Sequence, residues 1–244
     1  MNQSPPGEII LQADKEHGGI RSAIPLIMLA AGIAIFWLID PLLLAPLLGG
    51  GNWDGFRPFL RLALSVVLGI AVGGVAETIL KHSWGSGRRL RLDSDGLTIE
   101  EKGKEPERID WNERVNVLRW RYLLSGYPRG GRERRVPTGH ILLSYRLLQD
   151  DCSIVVYCYR SPKKAQETPG YADFVALNMA ELYDSTLLKR FSPPERPSIS
   201  STLLSGRHGQ LWAAEKERWA AGFELEPDDF VTLATAVHAV PPSA

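Results

Sequence analysis

Two apolar runs near the start of the 244-residue chain limit what it can become. Ser22–Ile39 is eighteen residues without a formal charge, nine of them Leu, Ile or Phe. At about −0.3 to −0.6 kcal/mol for each such residue near a helix centre, this run favours a bilayer by about 3–5 kcal/mol. Leu62–Ala76 adds fifteen uncharged residues between Arg61 and Glu77. A helix from Pro58 to Lys81 is about 36 Å long, enough to cross a hydrocarbon core of about 30 Å. The first run begins after about twenty largely polar residues, lacks a small-residue cleavage site and is followed at once by a second run, so it reads as a retained span rather than a signal peptide.

The flanks orient the hairpin. Between the runs, Asp40–Phe56 carries Pro41, Pro46, Gly49–Gly51 and Asp54, and its charges are acidic. Arg21 precedes the first run, and Lys81, Arg88, Arg89 and Arg91 follow the second. Basic residues on the terminal sides put both termini in the cytoplasm of a two-span cell-membrane protein. Trp53 and Phe56 on the outer side and Trp84 on the inner side suit the interfacial layers. Gly69 and Gly73 form a GxxxG pair, and Ala30 and Ala34 offer a small-residue stripe on the first span. Such stripes serve packing within the hairpin or contact with a second copy.

Beyond Gly87 the apolar period becomes two. Leu90 and Leu92 alternate with arginines, Asp95-Gly96 supplies a turn, and Leu97 and Ile99 resume the alternation; a two-residue turn there sets Leu92 opposite Ile99. Val115–Leu124 is apolar on both parities, which means a bulge or a strand covered on both faces. Ile141–Gln149 and Ile154–Arg160 read as further strands, and Tyr171–Arg190 as an amphipathic helix. Three prolines within Pro193–Pro197 make a linker, after which His208–Gly222 and a segment opened by Glu226-Pro227-Asp228-Asp229 read as two helices. That tail has to pack on the sheet domain, the membrane surface or a partner.

Two spans followed by Leu90-Arg-Leu-Asp-Ser-Asp-Gly-Leu-Thr-Ile99, with Ile109-Asp110-Trp111 about ten residues on, resemble the membrane-anchored bacterial PH-like domain proteins of the YcxB-like group, in which a two-helix anchor precedes the domain. The resemblance covers about residues 22–190. It implies an α+β membrane protein: a transmembrane helical hairpin, then a PH-like antiparallel β-barrel or sandwich capped by a C-terminal helix, plus the small helical tail. The order expected is a cytoplasmic lead-in over 1–21, the hairpin over 22–82, the β domain with its capping helix over 86–191 and the linker and tail over 192–244. The family has no shared catalytic residues to carry over.

Charge and motif content narrow the function. The 28 basic and 28 acidic residues cancel, so nothing points to a nucleic acid. Arg88–Asp150 holds 14 Lys/Arg against 10 Asp/Glu and Ser192–Ala244 holds 4 against 7, a basic segment beside the membrane and an acidic tail. The five histidines are scattered, and Cys152 and Cys158, six apart in a strand, are too distant to bridge. No nucleophile elbow, phosphate loop or dinucleotide fingerprint is present. The expectation is a non-catalytic protein without cofactor or metal. Arg129, Arg132, Arg134 and Arg135, in a glycine-rich loop, form the candidate contact for an anionic lipid or a partner. The function expected is an interaction or scaffold module at the cytoplasmic membrane face. The alternative is an accessory subunit packing through its spans and tail, and the partners are membrane lipid and a membrane protein or a second copy.

Overall fold

The computed structural model describes residues 7–15, 18–48, 55–182 and 198–239. The chain forms two compact units, a hairpin over 15–86 and an α+β unit made from residues up to Asp14 together with those from Gly87 onward.

In the hairpin unit, α1 (Gly18–Ile39) runs through a π-helical turn, Asp40–Leu44, into α2 (Ala45–Leu48), and α3 spans Arg57–Ser83. Both helical stretches are long and apolar enough to cross a membrane, with mean hydropathies of 2.3 and 2.1. The helix runs past Asp40, where a loop was expected. Pro41 stands at the first turn of the π segment, where its missing N–H is tolerated, and Ala45 N donates to Asp40 O to carry the chain on. Gly69 and Gly73 face α1. A Cβ on Gly69 would stand 3.2 Å from Gly32 Cα, and one on Gly73 would stand 2.2 Å from Met28 Cγ. In this close approach a side chain at Gly69 would press on the α1 backbone, and one at Gly73 would require Met28 to move. Ala30 and Ala34 do not join it: both are exposed, because two residues along a helix from Met28 and Gly32 is about 200° of rotation. Phe56 and Trp84 are also exposed, and Trp53 lies outside the described residues.

In the second unit, β1 (Ile9–Gln12), β2 (Arg88–Leu92), β3 (Gly96–Glu101) and β4 (Glu107–Asp110) form an antiparallel sheet in that order. β5 (Asn116–Leu123), β6 (Ile141–Gln149) and β7 (Cys152–Arg160) form an antiparallel core for the second sheet. Two-residue strands, β8 (Val175–Ala176) and β9 (Phe223–Glu224), extend its edges in parallel, giving the order β8-β5-β6-β7-β9. Among the described residues a single bridge, Ala13 to Leu225, joins the sheets, and they do not close into a barrel. Short helices α4 (Pro162–Gln166) and α5 (Ser201–Ser205) precede α6 (Gly209–Ala221) and α7 (Pro227–Ala239).

The lead-in is therefore part of the sheet from Ile9 to Gln12. Leu11 sits opposite Leu90 and is buried, and Glu8 pairs with Arg91. The β2–β3 register differs by two residues from the expectation, since Leu92 faces Leu97 and Leu90 faces Ile99. The cause is Asp93, whose Oδ1 accepts from the backbone N–H of Asp95 (2.9 Å) and Gly96 (2.8 Å) and widens the turn. An even slip preserves the face, so all four side chains still enter one core. Gly96 is needed for closeness, because a Cβ there would stand 2.2 Å from Ile109 O.

Arg108 donates to both oxygens of Asp93 (2.9 and 3.0 Å) and, together with those N–H groups, holds the carboxyl below the ordinary carboxylate range. A carboxyl depressed on folding adds stability above its ordinary pKa and loses it as the pH falls through the folded value. Asp93→Asn is expected to cost about 0.5–1 kcal/mol at neutral pH, a small figure because the pair is partly exposed. The gap from wild type should close in acid. Melting curves across pH check this, and a gap that is equal at every pH rejects it.

The five-stranded sheet is covered on both faces, which accounts for the double parity of Val115–Leu124. Leu143, Tyr145, Ile154 and Val156 face the four-stranded sheet and α7, while Trp120, Tyr122, Leu142 and Val155 face α6. Residues 171–182 are not helical. They run as a 3-10 turn (Tyr171–Asp173), β8 and a second 3-10 turn (Met179–Leu182), and the rest of the expected helix lies outside the described residues. Arg121 Nε donates to Phe174 O, Leu177 N donates to Arg121 O, and Phe174 packs on Tyr145 at 4.9 Å. Those bonds to β5 override the helical spacing. The capping role belongs to α7, whose Phe230, Leu233, Ala234 and Val237 are fully buried in the core between the sheets.

Candidate functional site

The arginine-rich loop is a built structure. Leu124 N donates to His140 O (2.8 Å) and closes its neck, and Gly131–Arg135 forms a 3-10 turn. Arg129 straps the loop by donating to Val136 O (2.7 Å) and Thr138 Oγ1 (2.9 Å). Arg132 donates to both carboxylate oxygens of Glu224 (2.8 and 3.1 Å), at the sheet edge formed by the tail. Arg134 and Arg135 are exposed. Two of the four candidate contacts are thus struts, and two present their charge to the surroundings.

The residue that fixes the turn is Glu133, 3 % exposed. Its Oε1 accepts from Tyr122 OH and Arg218 Nη2 (both 2.9 Å), and its Oε2 from Tyr127 OH (3.2 Å). Arg218 also donates to both oxygens of Glu215 (2.8 and 2.9 Å), Glu215 accepts from Trp120 Nε1 (2.8 Å), and the one Tyr122 proton is shared between Glu133 and Glu215 Oε1 (3.1 Å). Two carboxylates, one guanidinium and three neutral donors therefore meet beneath α6, with Arg218 4.7 Å from the Tyr157 ring centre. Burial drives the Tyr122 phenol well above its ordinary range. Burial alone would lower Arg218, but the Glu215 carboxylate and nearby phenols outweigh it and hold the guanidinium protonated. Every carboxylate oxygen has a donor. The geometry is that of a fastening between α6, β5 and the loop, and its outcome is to fix where Arg134 and Arg135 stand.

The sequence reading gives Glu133 no role and leaves Glu215 and Arg218 unassigned. The available signal was their i,i+3 spacing on the face of a helix that also carries Trp212 and Trp219. Cys152 and Cys158 are free thiols. Burial, with Glu107 beside it, pushes Cys152 up to about 11, and burial drives Cys158 well above the ordinary thiol range. Among the described residues no group of three or more His, Cys, Asp or Glu side chains could hold a metal ion. No protein-family model, curated protein or solved structure matches the chain.

Proposed function

We propose that this chain is a two-span cell-membrane protein whose α+β unit is a non-catalytic interaction module at the cytoplasmic face, docking another membrane protein or anionic headgroups through Arg134 and Arg135. The observation that carries the reading is the pairing of β1 with β2. One strand precedes the hairpin and the other follows it, so a sheet containing both requires the chain to leave and re-enter the same side of a bilayer. The excess of basic residues on the terminal flanks makes that side the cytoplasm. The PH-like resemblance belongs to the proposal too: β2–β4, then β5–β7, then a terminal helix against their common core is compatible with such a domain. A second reading, the accessory subunit, draws on the exposed Ala30 and Ala34, a small-residue stripe that the hairpin leaves unused.

Single cysteines at Gly55 and Arg135 test the sidedness. With an impermeant maleimide on intact cells, Gly55→Cys is expected to label and Arg135→Cys only after permeabilisation. Both are made in a background carrying Cys152→Ser and Cys158→Ala, because Cys152 is only half-buried. Labelling of the Arg135 position from outside overturns the topology. For the module, capture of the full chain from mild detergent is expected to bring a stoichiometric membrane partner or bound anionic lipid that Arg134→Glu with Arg135→Glu releases. Recovery of neither, or no change in the double variant, rejects the docking role.

A further inference from the structure

The face of the hairpin beside the glycine contact carries an open apolar groove of about 790 Å3, within the usual range of about 300–1,000 Å3 for small-molecule sites. Gly32, Ser65 and Gly69 form part of its lining, and Phe36 and Trp37 lie toward the loop end of α1. From Pro25 to Trp37 it follows α1 for about 18 Å, slightly more than half of a hydrocarbon core of about 30 Å. That is the reach of one acyl chain in one leaflet.

A charge waits at the loop end. The Arg61 guanidinium lies 4.0 Å from the Phe36 ring centre and 5.5 Å from that of Trp37, and its Nε donates to Phe36 O. Its neighbour Arg57 is engaged by Asp40 at 2.9 Å. Among the described residues Arg61 has no carboxylate partner, and its two terminal nitrogens have no protein acceptor. A cation one helical turn inside a membrane span calls for an anion, and a planar guanidinium fork fits phosphate oxygens.

We propose that the groove is a phospholipid site, in which a lipid of the loop-side leaflet sets its phosphate against Arg61 and one acyl chain between the exposed walls Leu29, Ile33, Leu62 and Val66, above the Gly32–Gly69 contact. The site rests on the membrane-spanning reading. The choice of lipid over a second copy of the chain follows from charge complementarity: Arg61 stands beside the Phe36 and Trp37 rings that line the groove's loop end, and a copy of this apolar hairpin would bring the same cation to it.

The test is native mass spectrometry of the full chain in mild detergent, titrated with palmitoyl-oleoyl phosphatidylglycerol. One lipid retained per chain is expected. Arg61→Gln should reduce retention by about 10–100-fold, the worth of a charge-assisted hydrogen bond, and Arg61→Lys by less. Val66→Trp, which fills the groove from its exposed wall and leaves Arg61 in place, should also abolish retention. No lipid on the wild type, equal retention by Arg61→Gln, or a lipid-free mass of two chains overturns the proposal. Carbonate extraction of the membranes separates the failures. Release of the chain rejects the spanning reading, whereas an embedded chain without lipid rejects the groove alone.

Discussion

A chain lacking residues 198–244 is expected to show no cooperative melting transition and no fixed near-ultraviolet signature from its aromatic residues. The tail supplies Phe223, Leu225, Phe230, Leu233 and Val237 to one core and Leu211 and Trp212 to the other. At about 1.5–3 kcal/mol for each large buried side chain, an upper estimate because unfolded chains already bury some surface, their loss is ~10 kcal/mol or more. The net stability of a domain is about 5–15 kcal/mol. Polar losses add to this. Glu133 is left without Arg218, and Arg88 loses the carbonyls of Ala221 and Gly222 and the Phe223 ring 3.6 Å beneath it. Phe230→Ala serves as the graded companion, with an expected cost of about 3–5 kcal/mol and a transition that stays cooperative. A truncated chain that melts cooperatively near the wild-type temperature would show that the tail is an appendage.

Arg218→Ala is the second large effect. It leaves the Glu133 and Glu215 carboxylates facing each other in a site closed to water, with only Trp120, Tyr122 and Tyr127 as donors. Breaking one side of such a cluster costs about 3–5 kcal/mol, far more than the intact cluster contributes relative to apolar residues. The triple variant Arg218→Met, Glu133→Gln, Glu215→Gln is accordingly expected to recover part of that loss, because it removes all three ions together while the amide oxygens still accept from Trp120, Tyr122 and Tyr127. Chemical denaturation in mild detergent reads both. A cost under about 1 kcal/mol for Arg218→Ala, or a triple variant weaker than the single one, rejects the assignment of the cluster as a balanced buried ion group.

Parts of this molecule are legible from local sequence and parts are not, and the division is physical. The two apolar helices follow from uncharged length alone, and β2, β3, β6 and β7 follow from alternation such as Leu90, Leu92, Leu97 and Ile99. The turn register was missed because side-chain bonds from Asp93 set the loop length. β1 was missed because its partner lies beyond the hairpin: Leu11 meets Leu90 and nothing near Ile9–Gln12 in sequence signals a sheet. Residues 171–182 carry helical spacing, yet one backbone and one side-chain bond to Arg121 decide their conformation. In the candidate site, the number of arginines was visible and their division was not. What makes Arg132 a strut is Glu224, 92 residues away, and what pins the turn is a pair of residues on α6. The glycines of α3 stand against Met28 and Gly32, a choice of helix face that composition alone does not encode.

The ladder from Leu11–Leu90 to Gln12–Arg89 has one more consequence. The two chain ends that leave the sheet there stand a single strand spacing apart, about 4.8 Å. Topologically, then, the apolar hairpin over 15–86 is a cassette spliced into what is otherwise the connection of an antiparallel strand pair. A few turn residues in its place would join β1 to β2 without rethreading a strand.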